Sequence, residues 1–378
     1  MRIVLFIGSL DTGGAERQLV TLANGLCQRG HEIWVVTLYP GGQNLQNIVR
    51  HESINIISLT KKRSSSVIIR IIQLLFAPWR LKRNLSSVNP ERVYSMLHIC
   101  NLFAWIATRG AMQNKLIWGC RASNVRLNWK ELLPEYLCRL FSSSVPMMIA
   151  NSSAGAKYAI DVSGFLPQRI EVIPNGIDTN YFHSLPVERE LLRKKLGVDK
   201  TVTLIGLIAR IDPMKGHDIF LKVVAKMISE RDDVYFIIVG DGIKELKRKL
   251  EVLAIELNIN HKLSWLGNRD DMPSVYNALD FLVSSSTYGE GCSNAIAEAM
   301  ACGKRCVVTN VGDSAEIVGD TGFVIPPNNT ETLFCALKNI ISAAEYKLGS
   351  PESRIKSQYS VERFIDRTES VLKELYAK

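Results

Sequence analysis

Long apolar runs, paired cysteines and clustered histidines are all missing from this sequence. No uninterrupted run reaches about 18 apolar residues, so the sequence predicts no membrane-spanning helix. The eight cysteines form no Cys-x-x-Cys pair and the six histidines form no cluster, which argues against a metal centre or a disulfide framework. We therefore expect the cysteines to be small core residues in a reducing compartment.

The composition is that of an ordinary globular chain. Hydrophobic residues make up 47% and charged residues 22% of the 378 positions, which argues against a disordered protein. Since domains usually have about 100–200 residues, two domains are expected. The N-terminal run Arg2–Ile7 is too short for the apolar part of a signal peptide and is interpreted as a buried first strand.

Positive charge is concentrated in the first half. Residues 1–185 contain 20 Lys and Arg against 10 Asp and Glu, whereas residues 186–378 contain 26 and 27. Such an excess is typical of a region that meets a polyanion, which is an anionic membrane surface, a nucleic acid or an anionic substrate.

Strand-like and helix-like segments alternate along both halves. Strands expected at Arg2–Ile7 and Glu32–Leu38 flank a helix at Ala15–Arg29, and the pattern restarts at Thr201–Ile208. Such units form parallel sheets covered by helices. We predict an α/β fold of two tandem Rossmann-like, doubly wound lobes facing a cleft. The N-terminal lobe spans 1–181, the C-terminal lobe spans 182–359, and a closing helix over 360–378 packs back on the first lobe.

Two loops have residues suited to phosphate. Gly13 and Gly14 follow the first strand and open a helix, where glycines let backbone amides approach an anion. Arg210 and Lys215 follow the first strand of the second lobe, and two cations at the carboxyl end of a strand can neutralise a diphosphate. The alternatives are a tight turn for the glycines and solvated surface charges for the cations.

The segment Glu290–Glu298 is the most specific of the three. Glu290 stands on a loop after a strand, and Glu298 stands in the following helix beside small apolar residues. Because a partly buried carboxylate needs partners, we interpret Glu290 as a ligand for sugar hydroxyls and Glu298 as a ligand for ribose hydroxyls. The alternative is a loop acid and a solvated helix acid.

These segments resemble the retaining glycosyltransferase family 4, whose members have the two-lobed GT-B fold. The matching residues are Gly13–Glu16, Asn151–Ser153, Ile173–Asp178 with Phe182, Arg210 with Lys215, Gly267–Asp271 and Glu290–Gly303. Residues Gly312–Gly322 further resemble a subgroup of surface-polysaccharide and lipopolysaccharide assembly. The resemblance implies transfer of a sugar from a nucleotide-sugar donor to a glycan or lipid-linked acceptor, with retention of configuration. A polyprenyl-diphosphate-linked acceptor would also explain the basic residues at 61–83 described below.

The resemblance also implies roles for single residues. Arg210 and Lys215 hold the donor diphosphate, Glu290 contacts the donor sugar, and all three are candidate catalytic residues. Glu298 holds the ribose. The remaining donor-binding candidates are Gly14, which lets the first lobe approach the diphosphate, Ser293 and Asn294 along the phosphates, and Arg269 near the nucleobase.

A first-lobe histidine is a further catalytic candidate. The family often places a histidine before an asparagine and near the sugar. Here His98 precedes Asn101 but is displaced by one position from the common pattern. The alternative is a loop or core histidine, since one histidine by itself is weak support for a site.

No Asp-x-Asp triplet occurs, so the metal-chelating motif of the other large glycosyltransferase class is missing. We expect no metal and no other cofactor. Arg210, Lys215 and helix amides would offset the charge of the leaving diphosphate, which takes the acceptor proton on the same face.

Residues 61–83 combine seven basic residues with a short apolar stretch and no acid. With Phe76 and Trp79, this pattern suits a helix lying in an anionic membrane interface. The alternative is a core helix with solvated ends. The expected membrane and acceptor contacts are Lys61, Lys62, Arg63, Arg70, Trp79, Arg80, Lys82 and Arg83. We accordingly expect a cytoplasmic protein on the inner face of the cell membrane.

Two other functions stay open at this point. A nucleotide-sugar epimerase can share the two lobes and the donor pocket, and it would act on the donor without an acceptor. A nucleic-acid binder would explain the basic half, but the sequence has no nucleic-acid-binding signature and the two acids would have no role. We therefore expect no nucleic-acid partner.

Overall fold

A computed structural model describes residues 1–11, 13–42, 54–62, 64–121, 129–342 and 349–374, and of 129–132 the backbone alone. The strands are β1 Arg2–Ile7, β2 Glu32–Thr37, β3 Ile54–Ser58, β4 Arg92–Met96, β5 Leu116–Cys120, β6 Met147–Ala150, β7 Ile170–Val172, β8 Thr203–Ile208, β9 Val234–Val239, β10 Leu263–Gly267, β11 Phe281–Ser284, β12 Arg305–Thr309 and β13 Phe323–Ile325. The helices are α1 Gly14–Gln28, α2 Val67–Val88, α3 His98–Thr108, α4 Trp129–Phe141, α5 Ser153–Asp161, α6 Pro186–Lys195, α7 His217–Glu230, α8 Lys244–Glu256, α9 Met272–Ala278, α10 Asn294–Ala301, α11 Ser314–Val318, α12 Thr330–Ser342, α13 Pro351–Gln358 and α14 Val361–Glu374.

The chain divides into two compact units. The first unit comprises Met1–Gly176 and Val361–Lys378, and the second comprises Ile177–Ser360. The boundary expected after residue 181 falls a few residues later than this division. The last helix, α14, belongs to the first unit although it follows the second unit in the sequence.

The first unit is built on a parallel sheet with the strand order β3-β2-β1-β4-β5-β6-β7. Ile3, Leu5 and Phe6 of the central strand are fully buried, as expected for a strand with helices on both faces. The order reverses between β1 and β4, which pair directly. Sheets of this kind bind ligands at the carboxyl ends of the strands beside such a reversal.

The second unit repeats the arrangement with the order β10-β9-β8-β11-β12-β13, again with parallel pairs. Its reversal lies between β8 and β11. The predicted α/β class with two doubly wound lobes is confirmed. The predicted strand bounds at Val234–Val239, Phe281–Ser284 and Arg305–Thr309 are also confirmed.

The helix α14 is fastened to α1 inside the first unit. A Cβ placed on Gly25 would lie 2.0 Å from Cδ1 of Ile365, so the two helices approach closely because this position has no side chain. Glu369 accepts hydrogen bonds from Arg29 at 2.7 Å and from His31 at 2.8 Å. The C-terminal segment therefore stabilises the N-terminal sheet.

Residues 67–83 of the basic stretch 61–83 lie in α2, and the two halves of this helix differ in burial. Ala77, Pro78, Leu81 and Leu85 in the second half are buried in the first unit's core. The first half, residues 67–76, is mostly exposed. In the described part of the chain, no helix is both long and apolar enough to cross a membrane.

Candidate active site

The candidate residues of the second unit follow the two strands that flank its reversal. Arg210 and Lys215 come directly after β8, and Glu290 comes after β11. Because the carboxyl ends of neighbouring parallel strands meet at one edge of the sheet, residues 75 positions apart become neighbours.

Lys215 and Glu290 form an ion pair at this edge. The Lys215 ammonium donates to Oε1 of Glu290, and the two side chains are only 19% and 8% exposed. The Ser286 hydroxyl donates to the same oxygen at 2.6 Å. The structure thus joins two of the predicted catalytic residues in a largely buried, hydrogen-bonded contact.

Hydroxyl groups hold the loop of Lys215 in place. The Ser285 hydroxyl donates to the carbonyls of Lys215 at 2.9 Å and Gly216 at 3.0 Å. Gly216 has φ +63°, and a Cβ there would lie 2.1 Å from the Ser285 carbonyl oxygen. Glycine is required at this position both for the left-handed backbone and for the close approach.

Arg210 faces solvent in this structure. Its side chain is 66% exposed, and it donates to Oδ2 of Asp212 at 3.0 Å. The other carboxylate oxygen of Asp212 accepts from the backbone of Met214 and caps the short turn before Lys215. Arg210 is therefore on the predicted loop but has a different partner from Lys215.

The acidic segment forms the start of α10. Ser293 is the N-cap of this helix and Asn294 is its first residue. Glu298 is buried, and its Oε2 accepts a hydrogen bond from the buried Tyr276 hydroxyl at 2.8 Å. Glu298 is thus buried rather than solvated, and Tyr276 is a hydrogen-bond partner for its carboxylate.

Arg269 lies at the turn between β10 and α9. Its guanidinium donates to both carboxylate oxygens of Asp271, at 2.8 and 2.5 Å. This fork lowers the pKa of Asp271. Asp271 thus holds the Arg269 guanidinium within this turn, and the contact of Arg269 with a nucleobase stays a prediction.

His217 opens α7, directly after Gly216. It is 2% exposed, and neither ring nitrogen has a hydrogen-bond partner among the described residues. Burial, with a smaller contribution from Lys215, lowers the pKa of His217 to about 4. The imidazole is neutral at neutral pH, so it adds no second positive charge beside Lys215.

In the first unit, Gly14 begins α1 at the carboxyl end of β1. Gly13 caps this helix without a side-chain hydrogen bond, and the Glu16 carboxylate folds back to the space beside Gly13. Burial raises the pKa of Glu16. Gln18 of the same helix exchanges two hydrogen bonds with the backbone of Gly176, at 2.8 and 2.9 Å.

His98 begins α3 at the carboxyl end of β4. Its Nε2 lies 3.0 Å from Oε2 of Glu135, a buried acid of α4 whose other oxygen accepts from Ser163 at 2.7 Å. Leu97, just before it, has φ +78°, a conformation that is strained for a residue with a side chain. His98 therefore stands on a strained turn beside a buried carboxylate.

Two predictions, the lack of a metal site and the membrane contact of Arg63, depend partly on residues that the structure does not describe. No group of three or more His, Cys, Asp or Glu side chains comes together there as a metal site requires. Arg63, one of the predicted membrane contacts, lies outside the described residues.

Comparisons with known proteins now identify the architecture. A family model for Glycosyltransferase Family 4 matches residues 12–181, and a model for Glycosyl transferases group 1 matches residues 201–343. The two matches together span more than half of the chain. The chain belongs to glycosyltransferase family 4. It is a glycosyltransferase, and both descriptions name transferases, so nothing favours the epimerase alternative.

Curated relatives of this glycosyltransferase act on lipid-linked acceptors by name. One from Campylobacter jejuni is the N-acetylgalactosamine-N,N'-diacetylbacillosaminyl-diphospho-undecaprenol 4-alpha-N-acetylgalactosaminyltransferase, 25% identical over 90% of each chain. Another, from Escherichia coli, is the UDP-Gal:alpha-D-GlcNAc-diphosphoundecaprenol alpha-1,3-galactosyltransferase, 30% identical over 56% of this chain and 54% of its own. Both names specify a diphospho-undecaprenol-linked acceptor for these relatives.

A solved structure gives the same fold. The Anabaena protein HepE in complex with UDP superimposes with a TM-score of 0.80 and 21% identity, over 99% of this chain and all of its own. At that identity the likeness shows the GT-B fold of this glycosyltransferase.

Three neighbours of the candidate residues were missed by sequence reasoning. Ser286 and Tyr276 contact the two glutamates, and Glu135 lies beside His98. The serine run Ser284–Ser286 at the end of β11 is a visible signal for a hydroxyl-rich loop. Nothing in the sequence paired Tyr276 with Glu298 or Glu135 with His98.

Proposed function

We propose that this glycosyltransferase moves a sugar from a nucleotide-sugar donor to a polyprenyl-diphosphate-linked glycan at the inner face of the cell membrane. The observation that carries the proposal is the pair of Lys215 and Glu290 at the reversal of the second sheet. The C. jejuni and E. coli relatives, whose names specify diphospho-undecaprenol acceptors, support the acceptor class.

The donor diphosphate meets Lys215 in this proposal. An ammonium has three N–H donors, so Lys215 can keep Glu290 as a partner while it donates to a phosphate oxygen. Arg210, 66% exposed on the same loop, supplies a second cation. Ser293 and Asn294 at the start of α10 add backbone amides and the positive end of a helix dipole.

The two glutamates contact different parts of the donor. Glu290 binds hydroxyls of the transferred sugar, and Glu298 binds the ribose. Arg269 supports the nucleobase side. For Gly14 and His98 the proposal rests on the family pattern alone.

Transfer breaks the bond between the anomeric carbon and the diphosphate oxygen and forms a bond from that carbon to an acceptor hydroxyl oxygen. The acceptor proton goes to the leaving diphosphate, which departs as the nucleoside diphosphate. We propose that both events occur on one face of the sugar, so configuration is retained. Lys215 and Arg210 offset the developing charge in place of a metal ion.

The membrane contact is assigned to α2 and the segment before it. In its first half, Ile68 and Leu75 are 71% and 72% exposed, and Trp79 in the next turn is 62% exposed. No acid occurs in α2. Exposed apolar side chains among cations suit an interface of anionic lipid headgroups. The cations are Lys61, Lys62, Arg70, Arg80, Lys82 and Arg83, to which the sequence adds Arg63.

Product analysis tests the reaction. The enzyme is incubated with a panel of nucleotide sugars, with and without a polyprenyl-diphosphate-linked glycan, and the lipid and nucleotide products are separated. Nucleoside diphosphate and an extended lipid-linked glycan should form together, with the donor's anomeric configuration by NMR. Conversion of the donor to another nucleotide sugar without acceptor would contradict the proposal.

Liposome binding tests the membrane contact separately. The double variant Ile68→Asn/Leu75→Asn should bind anionic liposomes at least about tenfold more weakly, since each side chain loses apolar burial. The matched control is Ile255→Asn/Leu191→Asn, two exposed apolar side chains of the second unit, 65% and 49% exposed. Wild-type binding should weaken as salt rises. Equal binding by both double variants counts against the assignment.

A further inference from the structure

Each glutamate of the acidic segment has its own buried hydroxyl partner. Ser286 donates to Oε1 of Glu290 at 2.6 Å, and Tyr276 donates to Oε2 of Glu298 at 2.8 Å. The two donors come from different elements, the β11 loop and α9. The two carboxylates are therefore oriented by independent supports.

Ser286 is fixed on both sides. It is 2% exposed, and its carbonyl accepts a hydrogen bond from the Thr309 hydroxyl at 2.6 Å, at the end of the neighbouring strand β12. Its own hydroxyl then holds Glu290 from the side of the sheet, while Lys215 contacts the same oxygen from the β8 loop. A rotation of the Glu290 carboxylate would break both bonds at once.

Tyr276 connects a different pair of elements. It is 1% exposed in α9, the helix that follows the turn of Arg269, and its ring lies edge-on to Phe182 with centroids 5.8 Å apart. Its hydroxyl reaches across to α10 at Glu298. The packed ring fixes the hydroxyl, so α9 sets the direction of the Glu298 carboxylate.

We propose that Ser286 and Tyr276 are positioning residues with separate tasks. Ser286 orients Glu290 on the transferred sugar, and Tyr276 orients Glu298 on the ribose. This inference rests on the proposed function, because it assigns each hydroxyl to one part of the donor. Loss of the Ser286 hydroxyl therefore acts on turnover, and loss of the Tyr276 hydroxyl acts on nucleotide affinity.

The test compares Ser286→Ala and Tyr276→Phe with matched controls elsewhere in the second unit. Ser274→Ala removes a serine hydroxyl that donates to Glu188 at 2.8 Å, and Tyr235→Phe removes a tyrosine hydroxyl that contacts Ser264 at 2.8 Å. The probe is the one of UDP, GDP, ADP and dTDP that raises the melting temperature of the wild-type enzyme most. Its Kd is measured by calorimetry, and kcat and KM are measured for sugar transfer.

Loss of a hydrogen bond to a charged group changes a rate constant or a dissociation constant by about tenfold or more. Ser286→Ala should lower kcat about tenfold while the Kd of the nucleoside diphosphate stays within twofold, which also shows that the second unit is folded. Tyr276→Phe should raise that Kd about tenfold while kcat at saturating donor stays within about threefold. Ser274→Ala and Tyr235→Phe should leave both quantities at wild-type values.

Two further variants separate the possible failures. If Glu290→Gln and Glu298→Gln impair transfer while Ser286→Ala and Tyr276→Phe behave like their controls, the positioning roles are wrong and the proposed function stands. If both glutamine variants have wild-type kinetics, the proposed function's site is wrong. If Ser286→Ala and Tyr276→Phe each lose both kcat and nucleotide affinity, the proposal that the two residues have separate tasks is wrong.

Discussion

The substitution Lys215→Met tests the ion pair at the reversal of the second sheet. Methionine keeps much of the length and apolar volume of the lysine stem but removes the ammonium that donates to Glu290. Because the Glu290 side chain is 8% exposed, the change leaves a largely buried carboxylate without its cation.

The cost to stability follows from that burial. Removing one partner of a fully buried ion pair costs about 3–5 kcal/mol. Ser286 still donates to Glu290 and the Lys215 side chain is 19% exposed, so we expect a smaller cost than this range, about 2–3 kcal/mol. For a unit of this size that corresponds to a fall of roughly 4–12 °C in melting temperature.

The cost to catalysis is larger. Loss of one preorganised donor on a developing anion typically lowers kcat by about 10² to 10³, which is about 3–4 kcal/mol. Transfer is measured at 15 °C, well below the melting transition followed by circular dichroism. The double variant Lys215→Met/Glu290→Gln should be more stable by about 2 kcal/mol than the summed losses of the two single variants predict. The reason is that each single change already removes the same ion pair.

Two results would contradict the roles given to this ion pair. Wild-type kcat in Lys215→Met would show that the ammonium has no part in transfer. Strict additivity of the two single changes in the free energy of unfolding would show that the pair contributes nothing to the folded second unit.

Three other predictions concern the same unit. Gly216→Ala should lower the free energy of unfolding by at least about 2 kcal/mol, because its Cβ would meet the Ser285 carbonyl. The control Gly197→Ala, at φ +68° with open space around it, should lower it by about 1 kcal/mol. Both values are measured by chemical denaturation. An equal cost at both positions would contradict the close contact. The folded pKa of His217 near 4 lies below its usual 6.5, so the unfolded chain binds the proton more readily and stability falls as pH drops from about 6.5 to 4. Between pH 7 and pH 5, the free energy of unfolding of His217→Phe should therefore fall by about 2 kcal/mol less than that of the wild type. Identical dependence of the unfolding free energy on pH in the two proteins would contradict a buried, neutral His217. Sugar transfer should persist in EDTA after removal of metals, and activity that returns only with added Mg²⁺ or Mn²⁺ would show that a metal is needed.

The sheets could be predicted from the sequence because their strands are short apolar runs between turn residues. Val234–Val239 and Phe281–Ser284 have the expected bounds. Burial on both faces makes these runs continuously hydrophobic, and this signal does not depend on distant contacts. The placement of Lys215 and Glu290 at one edge follows from the same topology.

Side-chain partners could not be predicted, because they depend on how separate elements pack. Tyr276 and Glu298 meet only because α9 and α10 lie side by side. The strained Leu97 has no sequence signal at all, since glycine would be the expected residue for φ +78°. The core interpretation of residues 61–83 fits the buried side chains in the second half of α2, and the membrane interpretation of the mostly exposed first half stays a prediction.

In the proposed function, Glu290 and Lys215 serve sugar transfer to a lipid-linked acceptor. The most direct measurement is the passage of a radiolabelled sugar from its nucleotide donor into organic-extractable lipid-linked glycan, by the wild type and by Glu290→Gln. We expect acceptor-dependent label in the lipid with the wild type and a loss of at least about 10² in rate with Glu290→Gln. Equal rates for the two proteins, or label that never enters the lipid fraction, would contradict the proposed function.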